Sequence, residues 1–164
     1  AIREQMDRLD ELGIKYDICP GVSSFCGAAA ALRAEYTLPD VSQTVIITRM
    51  AGRTPVPEKE SIAALAAHNA TMVIFLSTGL LKELSAELIR GGYKPDTPAA
   101  IVYKASWADQ KVCRCTVEDL AHTASDNGIT KTALICVGYF LGNDYSLSKL
   151  YDKSFETEFR KAEI

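Results

Sequence analysis

This sequence has few histidines and tryptophans, no long apolar run and no excess of positive charge. The longest apolar stretches, residues 72–76 and 133–137, are far too short to span a bilayer, so we predict no membrane partner. The 18 lysines and arginines are outnumbered by 21 aspartates and glutamates. This net charge of −3 argues against binding to a nucleic-acid backbone, which requires a basic surface.

The scarcity of histidine also bears on metal binding, since the only two, His68 and His122, both fall in predicted helices. Cys113 and Cys115 would project from one face of a strand and could form half of a metal site. The usual tetrahedral sets need further ligands, so we predict no metal. The five cysteines are an odd number, and most of them fall in apolar runs, where cysteine behaves as a small buried hydrophobic residue. This pattern favours a reduced, cytoplasmic setting.

The pattern of apolar residues predicts the fold class. Hydrophobic residues make up 48% of the 164-residue chain and charged residues 24%, as in ordinary globular proteins. Five short runs rich in β-branched residues alternate with helical segments, and the third and fourth are close enough for an antiparallel hairpin. We therefore predict a mixed five-stranded α/β sheet flanked by helices. The predicted strands are residues 44–48, 71–77, 99–105, 111–115 and 132–137, and the predicted helices are residues 1–12, 25–34, 58–68, 80–90 and 116–126.

One junction has the most informative local pattern. The apolar run of residues 14–19 is typical of a further strand, ended by Pro20, and Ser23 and Ser24 then open a helix whose small residues predict tight packing. Such a turn directs backbone N–H groups and two hydroxyls beyond the strand end, where they can hold a polar or anionic ligand group. A plain strand-to-helix junction is the alternative, because short motifs of this kind have low specificity.

Ligands in α/β sheets collect beyond the carboxyl ends of strands. The predicted strand ends are rich in small or polar residues, but no Ser-His-Asp set, paired-carboxylate pattern or phosphate-binding glycine loop accompanies them. The residues by themselves indicate a ligand-binding α/β domain. The five candidate loops are residues 23–24, 49–53, 76–79, 105–106 and 138–142.

Four segments, residues 20–25, 38–49, 52–57 and 70–77, resemble the tetrapyrrole methylases, and the resemblance extends from residue 1 to about residue 141. Its most specific part is Arg-x-x-Gly-Arg-Thr-Pro-Val-Pro at residues 49–57. This motif favours the branch that methylates C11 of precorrin-4 or cobalt-precorrin-4. The alternatives are the uroporphyrinogen or diphthine type of the same fold, or an inactive binding or dimerisation module.

The resemblance implies a methyltransferase of cobalamin (vitamin B12) biosynthesis that uses S-adenosylmethionine. It assigns cofactor contacts to Ser23, Ser24, Leu76 and Ala105, mostly through backbone and apolar atoms. Methyl transfer from a sulfonium depends on alignment more than on acid–base groups, so the absence of a recognisable catalytic set is compatible with this reaction.

Arg49 and Arg53 are the candidates for recognising the tetrapyrrole substrate. A precorrin carries many carboxylates, and the arginine side chain binds carboxylate through two parallel hydrogen bonds. Solvated loop charge, or a surface ion pair, is an equally weighted alternative for both residues. Whether the substrate carries cobalt is left open.

Enzymes of this family begin with a domain that carries a Gly-rich loop and a Gly-Asp-Pro turn, and these residues contain neither motif. We therefore expect residues 1–42 to be a remnant of that domain with a linker, residues 43–145 to form the C-terminal α/β domain, and residues 146–164 to be a charged, partly helical tail. We expect the 164 residues alone to be inactive and to bind S-adenosylmethionine weakly or not at all. An exposed apolar surface that includes Phe25 should favour self-association, as in a homodimer.

Overall fold

The computed structural model describes residues 2–161, so predictions for residues 1 and 162–164 lie outside the described residues. The five predicted strands are present, each with ends within about two residues of those predicted. They are β1 (Val45–Arg49), β2 (Thr71–Phe75), β3 (Pro98–Tyr103), β4 (Lys111–Thr116) and β5 (Ala133–Val137). The α-helices are α1 (Ile2–Glu11), α2 (Ser24–Leu32), α3 (Ile62–Ala66), α4 (Leu81–Gly91) and α5 (Leu120–Asp126).

The strands form one mixed sheet in the order β1-β2-β5-β3-β4. β1 and β2 are parallel, β5 runs antiparallel to both of its neighbours, and β3 and β4 form the predicted antiparallel hairpin. β1, β2 and β3 therefore all stop at one end of the sheet, here called the carboxyl end, where β4 and β5 start. The predicted fold class is confirmed.

Both faces of the sheet are covered, because side chains along a strand alternate between the two faces. In β2, Met72 and Ile74 pack in a cluster with residues of α3, α4 and α5, whereas Val73 packs with Ala28 and Leu32 of α2. All three β2 side chains are fully buried. The sheet is thus a middle layer, with three helices on one face and α2 on the other.

α2 packs closely on the sheet, and this corrects the expectation that Phe25 belongs to an exposed surface. The Phe25 and Tyr36 rings stack with 6.2 Å between centroids, and the Tyr36 hydroxyl donates a 2.7 Å hydrogen bond to the Phe25 carbonyl. At the other end of α2, the guanidinium of Arg114 donates to the Leu32 carbonyl at 3.0 Å. Phe25 is therefore half-buried, and it packs against the cluster that α2 forms with the sheet.

The predicted strand at residues 14–19 is wrong. A strand takes its hydrogen bonds from a neighbouring strand, and none of the sheet's strands pairs with this segment within residues 2–161. Its apolar side chains are also exposed, Ile14 at 50% and Ile18 at 58%. The composition favoured a strand, but the described residues offer no partner for one.

Two helix predictions are corrected as well. The segment of residues 58–68 divides into a 3-10 turn at Glu58–Glu60 and the short helix α3, because the Ser61 hydroxyl accepts a hydrogen bond from Ala64 N–H and caps a new helix there. The tail has a 3-10 turn at Lys149–Tyr151 and no α-helix in its described part. None of the helices within residues 2–161 has the length and apolar character needed to cross a membrane.

Candidate functional site

A cavity of about 390 Å³ lies at the carboxyl end of the sheet, next to the N-terminus of α2. Its volume falls near the lower end of the range for small-molecule sites. Apolar residues from β2, β3 and β5 form part of the lining, namely Phe75, Val102 and Leu134. Polar, cationic and aromatic residues from the adjoining segments complete it, and they include Ser24, Thr78, Lys104, Trp107, Lys131 and Thr132.

Three of the four predicted cofactor contacts come together in this cavity. Ser24, Leu76 and Ala105 all line it, although they come from α2 and from the ends of two different strands. Ser23 is the N-cap residue of α2, directly before Ser24, and its hydroxyl makes no capping hydrogen bond. The fold therefore brings the predicted residues to one place, and their roles as cofactor contacts stay predictions.

The candidate loop of residues 138–142 lies at the opposite end of the sheet. β5 is antiparallel to β2 and β3, so its carboxyl terminus points away from theirs. The turn before β5 takes its place, and Thr130, Lys131 and Thr132 line the cavity. Of the five candidate loops, residues 138–142 therefore lie away from the cavity, because β5 runs opposite to β2 and β3.

Three of the seven non-glycine residues with positive φ angles among residues 2–161 line the cavity. Leu76, Lys104 and Thr132 line it, and all three have positive φ angles, of 53°, 46° and 58°. Residues other than glycine rarely adopt this conformation, and each instance costs on the order of 1–3 kcal/mol unless its surroundings impose it. Such strain clusters at ligand-binding sites, so its position supports a binding role for this end of the sheet.

Lys104 is held between two aromatic rings at the rim of the cavity. Its Nζ lies 5.0 Å from the Tyr103 ring centroid and 5.2 Å from that of Trp107, and it forms an ion pair with Asp109 at 2.5 Å. The hydrogen bond within this pair is the main reason that the pKa of Lys104 is raised and the pKa of Asp109 is lowered. Both groups therefore stay charged at neutral pH, and the ammonium contacts both rings.

The charge of the lining limits what the cavity can hold. Lys104 and Lys131 are among its lining residues, and none of the described residues that line it is an aspartate or glutamate. Asp109 compensates the charge of Lys104 from outside the lining. The cavity therefore suits a neutral or anionic group better than a cation.

Arg49 is at the carboxyl end of β1, but its guanidinium is used by its own loop. Nη1 donates to the carbonyls of Met50 and Thr54 at 3.2 and 3.1 Å, and Nη2 donates to the Pro55 carbonyl at 2.8 Å. These bonds close residues 50–55 around the side chain. Arg49 is not among the residues that line the cavity.

Arg53 lies exposed on the same loop and makes no hydrogen bond or ion pair with any of residues 2–161. The loop itself is fixed beside the cavity through Ser77, whose side chain is fully buried. The Ser77 hydroxyl accepts a hydrogen bond from Met50 N–H at 3.0 Å and donates one to the Phe75 carbonyl at 2.7 Å. Of the two arginines, Arg53 is the one whose guanidinium is available to a ligand.

Lys104, Trp107 and Thr132 line the cavity and were not predicted, whereas Ser77 fell within the candidate loop of residues 76–79. A signal existed for Trp107, which is the single tryptophan of the chain and lies in a hairpin connection. Thr132 had no comparable signal, because its role depends on which loops meet at the sheet end.

The paired cysteines of β4 have a packing role in the structure. Cys113 and Cys115 lie opposite Ile101 and Ala99 on one face of the strand, as predicted, and pack against the core. Burial raises the pKa of the Cys115 thiol. Among residues 2–161, no group of three or more His, Cys, Asp or Glu side chains is arranged to hold a metal ion.

Comparison with known proteins decides the family. A model of the tetrapyrrole (corrin/porphyrin) methylases matches residues 1–121, well over half of the chain. The chain belongs to this methylase family. The mixed sheet and the cavity at its carboxyl end are therefore features of a tetrapyrrole methylase.

Two relatives of this methylase match nearly all of it. The cobalt-precorrin-4 C(11)-methyltransferase of Methanocaldococcus jannaschii is 54% identical over 99% of this chain and 63% of its own length. The protein of the same name from Priestia megaterium is 49% identical over 98% of this chain and 64% of its own length. The methylase chain thus spans a little under two-thirds of the length of these relatives.

A solved structure agrees with this family assignment. The X-ray structure of a cobalt precorrin-4 methyltransferase matches this methylase with a TM-score of 0.85 and 49% identity. The match covers 87% of this chain and 60% of that chain.

Proposed function

We propose that this methylase acts in the S-adenosylmethionine-dependent methylation of precorrin-4 or cobalt-precorrin-4 at C11, in cobalamin biosynthesis. The identity to enzymes of that name, over nearly the whole chain, supports the choice of reaction. The motif at residues 49–57 supports C11 over the uroporphyrinogen and diphthine types. When bound, S-adenosylmethionine supplies an activated methyl group, so the chain's own task is binding and orientation.

The observation that carries the proposal is the meeting of Ser24, Leu76 and Ala105 in one cavity. The N–H groups of the first turn of α2 and the hydroxyls of Ser23 and Ser24 are suited to polar atoms of a nucleoside. Leu76 presents an apolar side chain that is 85% exposed, and Ala105 leaves space because its side chain is small. These residues therefore fit the cofactor that the family uses.

We further propose that Arg53 contacts a carboxylate of the tetrapyrrole. It is exposed and unpaired within residues 2–161, on a loop that Ser77 fixes beside the cavity. A fixed loop limits the entropy lost when its side chain binds a ligand. Arg49 supports this role indirectly, by holding the loop in shape through three carbonyl hydrogen bonds.

A homodimer in the cytoplasm is part of the proposal, with residues 43–145 as the C-terminal domain. Large apolar side chains near the end of the described chain are exposed, and contiguous apolar surface favours self-association. Five free cysteines suit a reducing compartment. Light scattering after size exclusion tests the dimer, and a monomer at every concentration would contradict it. The exposed residues are Tyr145, Leu147, Leu150, Phe155 and Phe159.

Titration calorimetry with S-adenosylhomocysteine tests the cofactor site. Because Leu76 is largely exposed, a ligand in the cavity remains in contact with water, and we expect weak but saturable binding. Leu76→Ala should weaken binding several-fold. Full burial of a leucine side chain contributes about 1.5–3 kcal/mol, and the ligand buries only part of this one. Leu147→Ala is the matched control, because Leu147 is equally exposed, at 84%, and does not line the cavity.

The outcomes of this titration separate the possibilities. Equal effects of the two leucine variants would contradict the assignment of the cavity. For the reaction itself, an active methylase that contains this chain should methylate precorrin-4 or cobalt-precorrin-4 in preference to uroporphyrinogen III. The reverse preference would contradict the choice of C11.

A further inference from the structure

Trp107 is exposed and yet firmly held. Its side chain is 60% exposed at the rim of the cavity. Lys104, Tyr103 and Asp109 hold one side of the indole through the ammonium that lies over its ring. An exposed tryptophan is costly to keep in water, so a fixed one beside a cavity indicates a surface that binds something.

The hairpin connection that carries Trp107 is built as a rigid turn. The backbone N–H of Trp107 donates to the Lys104 carbonyl at 3.0 Å, and the backbone N–H of Gln110 donates to the Trp107 carbonyl at 3.1 Å. The side chain of Gln110 accepts a further hydrogen bond from Ser106 N–H at 2.7 Å. Lys104 and Ser106 both have positive φ angles, of 46° and 72°. These bonds therefore fix the strained backbone that carries the indole.

The indole has a face and a hydrogen-bond donor that no described residue uses. The Lys104 ammonium occupies one ring face, at 5.2 Å from the centroid. The indole N–H has no hydrogen-bond partner among residues 2–161. A rigid aromatic face with water on it is suited to stacking against a second flat π-system.

We propose that the free face of Trp107 stacks on the adenine ring of the methyl donor and so positions it in the cavity. The inference rests on the proposed function, in which S-adenosylmethionine binds there. Size favours the nucleoside, because a cavity of about 390 Å³ is small for a tetrapyrrole macrocycle with its acid side chains. Of the two ends of the donor, charge favours the neutral base over the cationic sulfonium end. The lining has Lys104 and Lys131 and, within the described residues, no carboxylate. The cationic sulfonium and amino groups are thus directed away from this part of the cavity.

The test uses Trp107 as its own reporter, since it is the chain's single tryptophan. S-adenosylhomocysteine and adenosine are titrated while tryptophan fluorescence is recorded, and methionine is the control ligand that lacks a base. Stacking of adenine on the indole should quench the emission with both nucleosides and not with methionine. Quenching by methionine alone would overturn the inference, because the amino-acid end of the donor would then face Trp107.

Affinities of variants, measured by calorimetry, give a second readout. Trp107→Ala should weaken binding of S-adenosylhomocysteine by about tenfold, in line with base–aromatic stacking elsewhere, and Trp107→Phe should restore most of the affinity. The matched control is Tyr145→Ala, since Tyr145 is 51% exposed and lies beside residues 140–143, in the loop at the other end of the sheet. Trp107→Ala should lower the Tm by only about 1–4 °C, because it removes one exposed cation–π contact, and the other variants should unfold at the same temperature as the parent chain.

The remaining outcomes separate this inference from the proposed function. If the parent chain binds S-adenosylhomocysteine without quenching, and Trp107→Ala binds it equally well, the role of Trp107 is refuted and the cofactor site stands. If neither nucleoside binds at any concentration up to its solubility limit, the cofactor site and the role of Trp107 are both refuted.

Discussion

Arg49 and Arg53 are four residues apart on one loop, and the structure predicts opposite consequences for their removal. Arg49→Ala deletes the guanidinium that donates to three backbone carbonyls of the loop. Arg53→Ala deletes an exposed guanidinium that makes no hydrogen bond or ion pair with any of residues 2–161. The first change should therefore affect stability, and the second should affect substrate recognition alone.

The magnitude follows from the hydrogen bonds of Arg49, which are 2.8–3.2 Å long and partly open to solvent. Each is worth about 0.5–1.5 kcal/mol when protected, and exposure reduces this, so the three together contribute about 1–2 kcal/mol. For a chain of this size, each kcal/mol corresponds to a change in Tm of about 2–4 °C. Arg49→Ala should lower the Tm by about 2–8 °C, and Arg53→Ala should leave it within about 1 °C.

The assay has two parts, a thermal unfolding scan and a steady-state measurement. In an active methylase that contains this chain, Arg53→Ala should raise the KM for the tetrapyrrole with the Tm unchanged. Arg49→Lys keeps the charge but loses the planar fork, so it should recover only part of the Tm lost in Arg49→Ala. Equal Tm values for Arg49→Ala and Arg53→Ala would refute the structural role of Arg49. A normal KM in Arg53→Ala would refute the carboxylate contact.

Three further predictions concern packing and local stability. Gly91→Ala should lower the free energy of unfolding by about 1–3 kcal/mol, because the added Cβ would lie 2.4 Å from the Ala63 carbonyl oxygen. A Cβ added at Gly21 meets nothing within 4 Å, so Gly21→Ala should be neutral in the same denaturant titration. Burial raises the pKa of the Cys136 thiol to about 12. Alkylation at mildly alkaline pH should therefore label the exposed Cys26 and spare Cys136 until the chain unfolds. Labelling of both cysteines at one rate would contradict this. α1 has no buried residue and is shorter than helices that are stable by themselves, so its amides should exchange much faster than those of β2, and equal protection would contradict the reasoning.

Local sequence patterns were enough to predict the elements that surround the site. The β-branched runs predicted all five strands, and the short connection after β3 predicted the hairpin. The hydroxyl pair before a run of small residues predicted the start of α2 to within one residue. These features depend on a residue and its near neighbours, because backbone conformation and the alternation of faces act over a few residues. The resemblance to a family then supplied Ser23, Ser24, Leu76 and Ala105, whose chemistry alone would not have singled them out.

The tertiary structure decided what those elements do together. Strand direction is set by how the whole sheet buries its faces, so only the fold could show that β5 is antiparallel and that Thr132, rather than residues 138–142, meets the cavity. Pairing is equally non-local, which is why residues 14–19 had a strand-like composition and still found no partner among the described residues. The two arginines of one motif have different roles because Arg49 donates hydrogen bonds to three carbonyls of the loop, whereas Arg53 makes none with residues 2–161. The sequence by itself therefore determined the elements and the family, whereas the position and surroundings of Trp107, Lys104 and Arg53 were decided by long-range packing that no local pattern encodes.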